Sequence, residues 1–183
     1  MIVGRDNLLK LFPDFADDVQ ENGIDLRVGE LFITKNFSEN ADIVGCVNDE
    51  KFLPILEKVE PFMDEYELEP KKYYFVKVDR DIHIPDGYTQ TYAIRSTFAR
   101  CGLLLMSAIG DNDFNGRLMM GLYNTNDFPI HMGVNERIIQ AVTYQNDGTA
   151  SNYEGSYQNN QIYQSNSKSI EDAYQSNPKG VRR

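Results

Sequence analysis

The sequence predicts an all-β barrel or sandwich, on three observations. Short runs rich in β-branched and aromatic residues recur along the chain, as at 72–78 (KYYFVKV), and such residues suit a pleated, half-buried surface. Apolar alternation between glycines, as in 23–34 (GIDLRVGELFIT), assigns one side of a strand to a core. Clusters of Gly, Pro, Asn and Asp separate the runs and read as turns. A chain of 183 residues has room for one domain with a sizeable core.

In chain order, residues 6–12 (DNLLKLF) read as a short helix. Asp6 is placed to cap it, Leu8, Leu9, Leu11 and Phe12 form its apolar face, and Pro13 stops it. Residues 23–34 follow as a strand entering the sheet. Asp25 and Arg27 would point the same way on it, either paired with neighbours as structural charges or turned toward a ligand. From 37 to 70 the chain is acidic and irregular, with Pro54 and Pro61 limiting any helix.

Residues 72–78 form a strand, and 82–87 end in the turn Pro85-Asp86-Gly87. A short strand at 92–94 leads to an apolar passage of Phe98, Leu103, Leu104 and Leu105 around Arg100. Residues 117–123 (RLMMGLY) make a further strand in which Gly121 is an unusual interior residue. Ile130, Met132, Ile138, Ile139, Ala141 and Val142 complete the series. Beyond Gln145 the composition turns to Asn, Gln, Ser, Tyr and Gly, so the chain divides into a β-domain at 1–145 and a polar arm and tail at 146–183. Such a tail cannot build its own core. Either it is disordered, or Tyr153, Tyr157 and Tyr163 lie over a ligand held by the body.

A formal net charge of −10 without any basic run makes a nucleic-acid polymer a poor partner, and none is expected, because phosphate-backbone binding depends on clustered cations. One small nucleotide needs only a few. No apolar run approaches the ~18 residues of a membrane span. The first thirty residues carry Arg5, Asp6, Lys10, Asp14, Asp17 and Asp18 and do not form a signal peptide, so a soluble, cytoplasmic protein is expected. Cys46 and Cys101 lack metal spacing and are expected as buried, reduced thiols. His83 and His131 stand in no metal or nucleophile motif and suit surface or edge-strand positions.

Chemistry concentrates at 92–140. Arg95 and Ser96 precede an acidic hairpin at 111–116 (DNDFNG), and Arg137 and Gln140 follow it. A polyphosphate needs guanidinium forks with hydroxyl or backbone donors, and a water attacking phosphorus needs a carboxylate to orient or deprotonate it. Arg95, Ser96, Arg137 and Asp111 supply both kinds of group. By residue type alone the same residues also fit strand-end charges around a plain turn.

Taken together, these segments resemble the trimeric dUTPase and dCTP deaminase superfamily, most closely its archaeal-type dUTPases. The resemblance is carried by GIDLRVG at 23–29, IRSTFAR at 94–100, IGDNDFNG at 109–116, NERIIQ at 135–140 and YEGSYQNNQ at 153–161, in that order. It implies a distorted β-barrel or jelly-roll with a short N-terminal helix and a C-terminal arm, assembled as a homotrimer with active sites between subunits. It also implies that Arg95, Ser96, Thr97 and Arg100 hold the phosphates of dUTP together with Gln140. Asp111 would align the attacking water, and the backbone from Ser107 and Ala108 would read the uracil edge. Tyr153, Tyr157 and Gln158 would close over the triphosphate. Mg2+ is the implied ion, held mainly through phosphate oxygens and water. Deaminating members carry a glutamate where this chain has Gly121, so the resemblance favours hydrolysis of dUTP to dUMP and diphosphate. The alternatives are a dCTP deaminase-like enzyme and a non-catalytic nucleotide-binding regulator on the same scaffold.

Overall fold

The computed structural model describes residues 1–34, 56–155 and 157–160. Helix α1 (Arg5–Leu11) opens the chain. Its N-cap is Gly4, Asp6 lies inside the first turn, and no side chain caps it, which corrects the expected role of Asp6. Leu8 and Phe12 are buried, and a 3-10 turn at Pro13–Asp18 continues from the helix because proline is tolerated at its start.

Strand β1 (Ile24–Thr34) is the spine of the fold. Its first half pairs antiparallel with β11 (Arg137–Gln145), and its second half pairs with β2 (Leu56–Val59) on one side and β4 (Tyr73–Val78) on the other. Irregular register at Leu26/Arg27 and Val28/Glu30 bends it between these partners, as bulges do at barrel corners. With β6 (Tyr88–Ile94), β7 (Leu103–Met106) and β9 (Met119–Asn124), the order across the main sheet is β6-β11-β1-β4-β9-β7. Small two-stranded sheets join β3 (Glu65–Leu68) to β10 (Ile130–Gly133) and β5 (Ile82–His83) to β8 (Asn115–Gly116).

The two ends of the main sheet come back together. Gln90 on β6 bridges to Gly110 just beyond β7, and the Ser107 hydroxyl donates to the Tyr92 carbonyl at 3.3 Å. The result is an all-β, nearly closed barrel, as expected. Its interior is filled by Leu26, Leu31, Val76, Leu103, Leu122 and Ile139 with their buried neighbours.

Strands β2 and β3 lie in the stretch expected to be irregular, so that expectation fails for 56–59 and 65–68. A five-residue helix, α2 (Ser96–Arg100), replaces part of the apolar passage between β6 and β7. His83 and His131 are exposed on β5 and β10. Cys101 is a free, exposed thiol rather than a buried one, because it follows α2 in the turn leading to β7. Cys46, Ser156 and Tyr163 lie outside the described residues, as does most of the tail. Among the described residues no helix is long and apolar enough to cross a membrane.

Candidate active site

Pairing register assembles the first half of the site. Asp25 stands opposite Gln140, Gln140 opposite Ala93, and Arg95 follows two residues later on the same strand edge. Residues opposite each other or two apart share a face, so Asp25, Gln140 and Arg95 gather in one place. With Gln20, Glu21 and Asn22 they line an open cleft of about 280 Å3. The Arg95 amide donates to the Ile138 carbonyl at 2.8 Å and its Nη1 to the Arg137 carbonyl at 3.2 Å, which fixes the guanidinium along the start of β11.

Asp25 is the exceptional group in this cleft. It is only 1% exposed, and neither carboxylate oxygen has a hydrogen-bond partner among the described residues. Arg95 Nε lies 3.5 Å from its Oδ2, an ion pair without a hydrogen bond. Burial pushes the Asp25 carboxyl above its ordinary range, against the pull of the Arg95 and Arg137 guanidiniums. A buried carboxylate in this condition fits a ligand that brings donors or positive charge.

Arg27 separates from Asp25 at the bulge. Its Nε and Nη2 donate to Asp18 Oδ1 at 2.9 and 2.7 Å, and Arg80 approaches the same carboxylate at 3.5 Å. Of the two charges expected to share a direction, Arg27 is structural and Asp25 faces the cleft.

The second half surrounds Asp111. Gly110 exchanges both backbone hydrogen bonds with Gln90, at 2.8 and 2.9 Å. A Cβ at 110 would press on the Tyr92 hydroxyl and stand 2.6 Å from Ile84 Cδ1, so only glycine fits before the aspartate. The Tyr92 phenol reaches Gln90 Oε1 at 3.2 Å. Burial, aided by the nearby Asp111 charge, pushes that phenol well above the usual tyrosine range. Asp111 itself is exposed, and it is not among the residues lining the Arg95 cleft.

The remaining predicted residues divide between the two halves. Ser96 and Thr97 are exposed at the start of α2 and Arg100 at its end. Ser107 and Ala108 are exposed between β7 and Asp111. The arm lies against its own hairpin. The Tyr153 amide donates to the Asn112 carbonyl at 2.9 Å, and the Tyr153 ring meets Phe114 edge-on at 5.7 Å. Gln158 donates to the Asp113 carbonyl at 2.8 Å and accepts from the Asn115 amide at 2.7 Å, while Tyr157 is exposed.

Beside Ser107, Met106 pairs with Gly121 on β9. The Tyr73 hydroxyl lies where a Cβ at 121 would point, and burial raises that phenol as well. Sequence reading missed Asn112, Gln90 and Tyr73. Asn112 stands inside the acidic hairpin, but its residue type signalled only a turn. Among the described residues no group of three or more His, Cys, Asp or Glu side chains could hold a metal ion.

A profile of the dCTP deaminase-like family matches residues 5–146. The chain belongs to this family. A relative of this dCTP deaminase-like protein in Methanothermobacter thermautotrophicus is 41% identical over 158 residues, covering 86% of this chain and 99% of the relative. It bears the name "Probable deoxyuridine 5'-triphosphate nucleotidohydrolase". A relative of the same name in Methanopyrus kandleri is 33% identical over 86% of this chain and 99% of its own length. One named dCTP deaminase, from Pyrobaculum arsenaticum, is 28% identical over 86% of this chain and 92% of its own. The crystal structure of 2'-deoxycytidine 5'-triphosphate deaminase from Agrobacterium tumefaciens superposes with a TM-score of 0.57 at 18% identity. It covers 79% of this chain and 48% of that one, so this chain spans about half its length, and the likeness speaks to fold alone.

Proposed function

We propose that this protein is a dUTP diphosphatase that hydrolyses dUTP to dUMP and diphosphate. The observation that carries the choice is the state of position 121. The strand beside Ser107 offers glycine there, beneath the Tyr73 phenol, so it has no carboxylate to move protons on a cytosine ring. Asp111 remains as an exposed acid beside the base-side hairpin. The names borne by the 41% and 33% identical relatives support the same reading.

In this reading a water held by Asp111 attacks the α-phosphorus. The bond to the bridging oxygen of the diphosphate breaks, and the proton passes to the Asp111 carboxylate. Arg95, Ser96, Thr97, Arg100 and Gln140 hold the phosphates and meet the charge that develops on the leaving group. Bound Mg2+ would supply further charge neutralisation on those phosphates. Asp25 would hold it through water, which suits a buried carboxylate whose oxygens lack partners.

Homotrimeric assembly belongs to the same proposal, as does a cytoplasmic location. Asp111 does not line the Arg95 cleft of its own chain, which supports a site completed by a second subunit. The outer face of β7, β9 and β4 exposes Leu104, Met106 and Tyr73, an apolar surface suited to that contact. Incubation with dUTP and separately with dCTP tests the activity. Diphosphate release from dUTP without ammonia from dCTP is expected. Ammonia from dCTP would favour the deaminase reading, and tight dUTP binding without turnover would favour a regulator.

A further inference from the structure

Asn112 is the most heavily tied residue near the proposed catalytic acid. It is 4% exposed. Its Oδ1 accepts from the Gly87 amide at 2.6 Å and lies 3.5 Å from Asn146 Nδ2, and its Nδ2 donates to Asp86 Oδ1 at 3.0 Å and to Asn152 Oδ1 at 2.9 Å. Its main-chain carbonyl accepts from the Tyr153 amide at 2.9 Å. A primary amide has two donors and one oxygen with two lone pairs, so this side chain is saturated. Many residue types would make the turn, but a hydroxyl or a neutral imidazole has one donor and a carboxylate none, whereas the amide donates to both Asp86 and Asn152 while accepting from the Gly87 N–H.

Asp111 is exposed, so its placement follows from the backbone on either side of it. Gly110 is held by Gln90, and the Phe114 amide closes onto the Asp111 carbonyl at 3.2 Å. The remaining constraint is Asn112.

We infer that Asn112 is a positioning residue that binds the 86–87 turn and the arm root at 152–153 to the residue beside Asp111. Arm seating and carboxylate placement are thereby set together. The inference rests on the reading of Asp111 as the acid that activates water.

The test uses the full chain with Asn112→Asp, and with the swap Asp86→Asn/Asn112→Asp. In the swap the new amide at 86 can donate to the carboxylate at 112, and Asn152 can turn its amide to do the same. Turnover of dUTP is referred to the number of sites titrated with a non-hydrolysable α,β-imido analogue, so unfolded protein does not count. Asn112→Asp is expected to lower kcat per site by about 10- to 100-fold with KM nearly unchanged, as a small misplacement of a catalytic group does. The swap is expected to restore most of that loss.

Hydrogen exchange of the Tyr153 amide gives a readout independent of catalysis. It should quicken by about five- to tenfold in Asn112→Asp, the scale of one lost hydrogen bond, and slow again in the swap. Unchanged kcat per site in Asn112→Asp, or a folded swap that restores neither quantity, overturns the inference. If the unmodified protein does not turn over dUTP, the reading of Asp111 fails, and the exchange rates still decide whether Asn112 ties the arm to the hairpin.

Discussion

The Tyr73 ring covers Gly121 so closely that its Cζ would stand 2.6 Å from a Cβ at that position. Register brings them together: Tyr73 lies on β4 opposite Tyr123, and Gly121 is two residues earlier on β9. A single Gly121→Glu change therefore cannot install a carboxylate on this strand without displacing the phenol. Overpacking of this kind costs about 1–3 kcal/mol or more, so a lowered unfolding temperature with no ammonia release from dCTP is expected. In Tyr73→Ala/Gly121→Glu the clash is gone, and the unfolding temperature should recover relative to Gly121→Glu. A Gly121→Glu protein as stable as the parent would show that Tyr73 moves aside freely.

Asp111→Asn keeps the size and exposure of the side chain while removing its capacity to take a proton. If Asp111 activates the water, kcat for dUTP should fall by about 10²–10⁴-fold, the range typical of a general base. Calorimetric binding of the imido analogue should change little, since the phosphates are assigned to Arg95, Ser96 and Gln140. Wild-type turnover in this variant would remove Asp111 from the mechanism.

Legibility in the sequence followed how local the cause was. Strands β1, β4 and β11 carry enough alternating or β-branched residues to be read directly, and β9 is legible as a short apolar run around Gly121. The strands at 56–59 and 65–68 were hidden because their sequences, LEKV and EYEL, are short and half charged. Their pairing with β1 and β10 decides their conformation. Helix α2 was hidden for the same reason, being only one turn long within an apolar passage. Arg95, Asp111 and Gln140 were recognisable from motif order. The isolation of Asp25 depends on burial by segments distant in sequence, the role of Tyr73 depends on strand register, and that of Asn112 depends on partners at 86, 87 and 152, so none of these could be read locally.

Asp25 gives a pH-dependent prediction. Its folded-state pKa is raised above 3.8, mainly by burial. Between that value and the folded one, the native state keeps a proton that the unfolded chain has lost, so stability falls as pH rises through this window. Above it the penalty is fully present. Ligand-free Asp25→Asn should accordingly be more stable than the parent near neutral pH, and the difference should close as pH falls below 3.8. Urea unfolding of both proteins across that range measures the difference. A variant less stable than the parent at neutral pH would mean that the attraction of Arg95 outweighs burial.

A site divided between subunits predicts complementation. On the proposed reading Asp111→Asn removes the acid and Arg95→Ala removes a phosphate contact from the cleft that Arg95 lines with Asp25 and Gln140, so each alone should be nearly inactive. Co-refolding the two lets some trimers join the intact cleft of one chain to the intact hairpin of another, and dUTP turnover should reappear only in the mixture. Adding Leu104→Glu and Met106→Glu to both variants places charge on the exposed apolar face of β7. These changes should abolish the rescue and shift the protein to a monomer in size-exclusion chromatography with light scattering. Failure of the mixture to recover activity, with trimers present, would place Asp111 and Arg95 of one chain in the same site and rule out sharing between subunits.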